Sequence, residues 1–235
     1  MKKALLIAAI SLSIHLGLYA QRTINVDSVS GHYDIGAFFS VVNGEPFATA
    51  KFIRLVEGSA FFKDDWNIGN VTLLNGASYS NISLRINLLD KQLHFLKDGT
   101  EFIADKFIKE VSFADKKTGD TFVFRTGFPP VPGSSPRSLF QVLADGKAQF
   151  LKLYNKDISE SKPYGSATYE QRVITNSAYY ILKNNEMVKV KNDRETIESV
   201  LADKQHLIKE FLSKNKLNFR NEKDIVTLLR YYNSL

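Results

Sequence analysis

Apolar and polar residues alternate through residues 70–102, NVTLLNGASYSNISLRINLLDKQLHFLKDGTEF. Ile82, Leu84, Ile86 and Leu88 recur at period 2, with Ser83, Arg85 and Asn87 between them. Successive side chains of an extended chain point to opposite faces, so this pattern predicts a strand with one dry face. Turn signals interrupt the alternation at Asn75-Gly76, Asp90-Lys91 and Asp98-Gly99. Asn-Gly and Asp-Gly suit type I′ hairpins, whose two central residues both need φ > 0. The stretch therefore predicts an antiparallel meander.

The pattern extends to both sides. Residues 21–30 are polar and read as a loosely held segment, after which His32, Ile35, Phe38, Phe39 and Val41 lead to a break at Asn43-Gly44. In residues 47–62, Phe52, Leu55 and Val56 fit helical spacing, but the β-branched and aromatic content and Gly58 favour strands. Residues 60–62 read as a strand entering a turn at Asp64-Asp65. Beyond the meander, Phe107, Val111 and Phe113 alternate with polar neighbours, and a turn at residues 117–120 leads to Phe122 and Phe124. Residues 127–136, GFPPVPGSSP, hold four of the six prolines. Proline removes a donor and fixes φ, so this segment is a loop over the sheet in preference to a linker. Strands are predicted at residues 139–143 and 148–154 about Asp145-Gly146, then at 168–174, 178–183 and 187–190, the last two joined at Asn184-Asn185. Residues 158–165 read as loop.

At Asn192 the period changes from 2 to 3.6. Asn192 with Glu195 makes a capping-box pattern. Ile197, Val200 and Leu201, then Leu207, Ile208, Phe211 and Leu212, line helix faces; either a restart at Asp203 or one continuous helix fits. Asn221 precedes a last helix with Ile225, Leu228, Leu229 and Tyr232 at i, i+3, i+4 and i+7. These stripes need cover, and the sheet is the partner. The fold class is α+β: a mainly antiparallel meander, as a curved sheet or partial barrel, with a C-terminal cap of two to three helices.

The first residues change the picture from fold to destination. Lys2 and Lys3 precede an apolar run over residues 4–18 and the small residue Ala20, the layout of a secretory signal peptide. Ser11, Ser13 and His15 interrupt the run, which is shorter than the ~20 residues of a membrane span, so cleavage after Ala20 is expected in preference to an anchor. This divides the chain into a signal peptide, 1–20, and one exported domain, 21–235, β-rich over 32–190 and helical over 192–235. Removing Lys2 and Lys3 lowers the formal charge from +6 to +4. The basic residues are scattered, which argues against nucleic acid as a partner. The chain has no cysteine, so disulfides, thiolate metal sites and lipoprotein acylation are excluded, and the core must hold the fold. Its 17 Phe and 10 Tyr supply that core.

Candidate chemistry is sparse. His32 and His94 have no His or Glu at the i, i+4 spacing that builds a helical metal site, and His206 has a single such neighbour, Glu210, short of a ligand set. His94, between Leu93 and Phe95, is expected to face solvent. Asp64-Asp65-Trp66 lacks the Gly and distal Glu of a calcium loop and reads as a turn. Asn70-Val71-Thr72 and Asn81-Ile82-Ser83 match the glycosylation acceptor pattern, idle in a bacterial protein. Neither G-x-S-x-G nor a phosphate-cradling glycine loop is present. Tyr164, Tyr169, Tyr179, Tyr180, Tyr231 and Tyr232 offer rings for stacking on sugars, although core packing explains tyrosines more often. No catalytic, cofactor-binding or metal residue is assigned.

Four stretches, NGASYSNISLRINLLDKQLHF, FRTGFPP, QVLADGKAQFLK and EKDIVTLLRYYNSL, together resemble an uncharacterised group of exported proteins of Gram-negative bacteria. The group has no established activity, so the resemblance implies one exported domain and assigns no functional residue. The expectation is an exported, soluble envelope protein that binds or plays a structural part, with envelope protein, glycan or lipid as partner. The alternative is a periplasmic carrier of an apolar ligand on the concave side of the sheet. An enzyme is the third reading.

Overall fold

The structure, a computed structural model, describes residues 45–46, 55–104, 108–161, 164, 170–191 and 193–235. The leader, the readings at His32 to Gly44, and those at Phe52, Phe107, Tyr169 and Asn192 lie outside these residues.

The strands are β1 (Glu45–Pro46), β2 (Leu55–Glu57), β3 (Asn67–Leu73), β4 (Ser78–Asn87), β5 (Gln92–Lys97) and β6 (Thr100–Ala104). They continue with β7 (Ile108–Ala114), β8 (Thr121–Arg125), β9 (Phe140–Ala144), β10 (Ala148–Ser161), β11 (Glu170–Lys183) and β12 (Glu186–Val190). Three helices follow: α1 (Arg194–Val200), α2 (Gln205–Lys214) and α3 (Glu222–Ser234). The α+β class stands. One open sheet has the order β1-β6-β5-β4-β3-β7-β8-β9-β10-β11-β12. Its ten longer strands, β3 to β12, are antiparallel, and short β2 adds in parallel to β11.

The hairpin turns follow their residues. Asp98 and Gly99 have φ of 51° and 77°, and Asn184 and Asn185 51° and 63°, as type I′ turns require. At Asn75-Gly76 only Gly76 is positive, at 89°. There the Leu73 carbonyl accepts from Gly76 at 3.0 Å, and Leu73 N–H donates to Ala77 O at 2.8 Å. This is a three-residue loop with a glycine bulge, so the type I′ expectation fails here. Asn87 is buried although alternation puts it on the polar face. Its Oδ1 accepts from Leu89 and Asp90, both at 3.0 Å, and closes the turn before β5.

Cross-strand partners share a face. One row therefore crosses the sheet from Val71 through Val111, Phe124, Gln141, Lys152 and Tyr179 to Val190. At the meander end this inner face carries Ile82, Leu84 and Ile86, each at most 1% exposed. At the other end Phe150 and Ile181 meet Ile197, Ile208, Leu228 and Leu229 of the helices. The helices thus dock on the sheet as expected, but over β9–β12 and not over the meander.

Curling covers the rest. Residues 60–62 extend the line of β3: Phe62 N–H donates to Ile86 O at 2.8 Å and Leu88 N–H to Ala60 O at 2.9 Å. The predicted strand shrinks to a single bridge, Phe61 to Asn87. In a flat sheet β10 would lie four spacings from β3, about 19 Å away. The Phe62 ring nevertheless lies 5.4 Å from that of Tyr154, and 4.9 Å from both Phe122 and Phe124. Lys156 of β10 fastens the same segment by donating to the carbonyls of Ser59 and Phe61, both at 2.7 Å.

The outer face of β9–β11 is also buried. Phe140, Leu151, Leu153 and Tyr180 pack there under Phe128 and Val131 of the proline-rich segment. That segment joins β8 to its sheet neighbour β9 and accepts a hydrogen bond from Lys91 to the Gly133 carbonyl at 3.1 Å, so it is a loop over the sheet.

Two strand readings change. Residues 158–161 belong to β10, and the described part of the two strands read in 168–183, residues 170–183, is the single strand β11. β10 and β11 pair without a break from Ala148–Lys183 to Ser161–Glu170. Residues 157–161 and 174–177 are exposed on both faces, so no hydrophobic period marks them. In the helical part, Asp193 caps α1 by accepting from Thr196 N–H at 2.7 Å. The helix breaks at Leu201, a 3-10 turn over Ala202–Lys204 intervenes, and Asn221 caps α3 as predicted.

Candidate functional site

Two polar clusters interrupt the apolar faces. The first lies on the inner face between the meander core and the helices. β9 supplies Gln141, β10 Lys152 and Tyr154, β11 Tyr179, and the first turn of α3 Glu222. Lys152 Nζ lies 2.8 Å from Glu222 Oε2, which also accepts from the Tyr179 hydroxyl at 2.8 Å. The Tyr154 hydroxyl donates to Gln141 Oε1 at 2.8 Å. Burial by itself lowers the Lys152 pKa, but the Glu222 and Tyr179 hydrogen bonds outweigh it and raise the ammonium well above its usual range. Burial likewise raises Tyr154 and Tyr179. A lysine held charged is neither a nucleophile nor a general base. The cluster ties α3 to the sheet.

The second cluster is on the outer face of β4–β6. Arg85 and His94 are cross-strand partners and so project together. Glu101 Oε1 lies 2.6 Å from His94 Nδ1, and both its oxygens accept from Arg85 Nη2, at 2.8 and 2.9 Å. The Arg85 guanidinium lies 3.8 Å from the Phe61 ring centroid and 4.4 Å from that of Trp66. The expectation that His94 faces solvent is wrong: it is 0% exposed. Alternation located the face correctly, but the Phe61 ring packs perpendicular to the imidazole from a segment distant in sequence. Burial lowers the His94 pKa against the opposing pull of Glu101. Glu101 is shared with Arg85 and the imidazole is enclosed, so this dyad is built as a strut and not as a solvent-facing base. The signal for it was the Asp98-Gly99 hairpin, whose register sets Glu101 opposite Leu96 and so on the same face as His94, two residues along β5.

The other candidates scatter. His206 is exposed on α2. Asp64 accepts from the Ser59 hydroxyl, and Asp65 pairs with Lys117 at 2.6 Å, so these are turn contacts. Of the tyrosines, Tyr180 and Tyr232 are buried and Tyr231 stacks on Phe211 at 4.1 Å, leaving Tyr164 as the fully exposed ring among those described. Asn70 and Asn81 are exposed. Among the described residues no group of three His, Cys, Asp or Glu is placed to hold a metal ion.

Comparison with family models, with curated proteins and with solved structures finds no match.

Proposed function

We propose that the protein is exported to the cell envelope and acts there by binding or as a structural component. One observation carries the non-catalytic half of this reading: the one histidine and the one carboxylate buried outright among the described residues, His94 and Asp115, are each closed on internal partners. The export half is supported by Lys2, Lys3, the apolar run and Ala20, together with the likeness of four stretches to exported proteins. An envelope protein, a glycan or a lipid headgroup is the partner class. The carrier alternative has less support. Phe62 occupies the inner face, and the void bordered by Leu88, Leu139, Leu153 and Tyr154 holds about 10 Å³, room for about one water.

Processing tests the proposal. Expressed with its own N-terminus in a Gram-negative host, the protein is expected in the soluble periplasmic fraction with an intact mass beginning at Gln21. A cytoplasmic product retaining residues 1–20 rejects it.

A further inference from the structure

β8 and β9 are neighbours through only two residue pairs, Phe124 with Gln141 and Arg125 with Phe140. Toward the start of β8 and the end of β9 their shared ladder stops, yet both strands go on. Thr121 still pairs with Ala114 of β7, and Ala144 with Phe150 of β10. A bulge accounts for the divergence. β9 sets Val142 and Ala144 against the consecutive Leu151 and Phe150, leaving Leu143 as an extra residue. Such an insertion bends and twists the strand that carries it. The two strands therefore border an open cleft of about 300 Å³ lined by Thr121, Val123, Val142, Leu143, Asp145 and Arg230 of α3, with Arg125.

Two chemical features define what fits. First, β8 and β9 face each other with ladder positions that no strand fills, and an extended backbone is the group that satisfies N–H and C=O donors and acceptors on such edges. Second, the charges are unequally engaged. Asp145 and Glu110 are both turned onto Arg125, at 2.6 and 2.5 Å, whereas exposed Arg230 has no ion-pair partner among the described residues. We infer that the β8–β9 cleft takes an extended peptide segment of a partner protein, which adds a strand between β8 and β9 and directs an acidic side chain to Arg230. This rests on the reading of the protein as a binding module and names its partner class. It is independent of export, because it concerns the folded chain wherever that chain resides.

The test uses the purified full chain and a labelled heptapeptide, Ser-Val-Thr-Val-Glu-Val-Thr, followed by fluorescence anisotropy. Saturable binding is expected, weakened at least about tenfold when alternate peptide amides are N-methylated, since main-chain pairing carries the contact. Arg230→Glu is expected to weaken this peptide by about tenfold, the loss of one charge-assisted contact, while leaving its Glu-to-Gln analogue unchanged. The Gln analogue also reports folding, because an unfolded variant would lose both peptides. A benzoylphenylalanine version of the peptide is expected to cross-link within residues 121–125 or 142–145. No binding at about 1 mM peptide, equal binding of the N-methylated form, indifference to Arg230→Glu, or cross-links confined to other strands each overturns the inference. Failure of export with intact peptide binding would reject the envelope assignment alone.

Discussion

Asp115 shows how one side chain couples a turn to pH. It accepts from the Lys117 and Thr118 backbone N–H groups at 2.7 and 3.2 Å, closing the loop between β7 and β8, and pairs with Lys63 at 2.7 Å. The Lys63 hydrogen bond first, and the Lys117 N–H next, hold its pKa at about 2 against an ordinary 3.8. A carboxyl depressed in the folded state adds stability that is complete above the unfolded value and is lost as pH falls through the folded one. The contribution therefore disappears between about pH 4 and pH 2. Asp115→Asn should lose less stability than the parent across that window, measured as urea midpoints at pH 6, 4, 3 and 2. Parallel acid profiles for the two proteins would remove Asp115 from the account. His94 acts in the opposite region. Its lowered pKa keeps it neutral while the unfolded chain's histidine protonates, so its share of stability declines as pH falls below about 6.5.

At the scale of the element, α3 is the piece whose sequence and packing agree most closely. Ile225, Leu228, Leu229 and Tyr232 are all buried, as the stripe predicts. Its other end is fixed by Asn233, whose amide accepts from Ala148 N–H at 2.9 Å and donates to the carbonyls of Asp145 and Ala148. The Asn233 side chain thus substitutes for strand backbone at the β9–β10 turn, where Gly146 leaves no room for a Cβ. Leu228→Ala should cost about 2–5 kcal/mol, the range for truncating a buried leucine. Thr227, exposed and bonded only back to the Lys223 carbonyl, should accept Ala within about 0.5 kcal/mol. Denaturant titration of the two variants decides it: equal, small effects would make α3 an appendage.

For the molecule as a whole, the curl of the sheet governs what the inner face can hold. Phe62 meets Phe113, Phe122, Phe124 and Tyr154, so rings occupy the space a carrier would leave open. Protein purified without detergent should therefore yield no stoichiometric lipid on organic extraction, and an apolar fluorescent probe should not respond to the folded chain. Recovery of about one lipid per chain would restore the carrier reading.

Local alternation and local turn chemistry are properties of consecutive residues, so the sequence by itself determined much of the architecture. The dry face of β4, the Asp98-Gly99 and Asn184-Asn185 hairpins, the Asn221 cap and the stripe of α3 all needed only neighbours within a few positions. The distal halves of β10 and β11 escaped because both their faces are wet, and a strand without a buried face has no hydrophobic period to display. The Asn75-Gly76 turn differed because one additional loop residue replaces a type I′ turn with a bulged one. His94 was misplaced for another reason: alternation assigns a side chain to a face, but only tertiary structure decides whether that face is covered, here by Phe61. The same holds for the separate seats of meander and helices on one inner face, and for the cleft at Leu143. Each depends on curvature summed over many strands and on contacts between residues far apart in the chain, which no local pattern encodes.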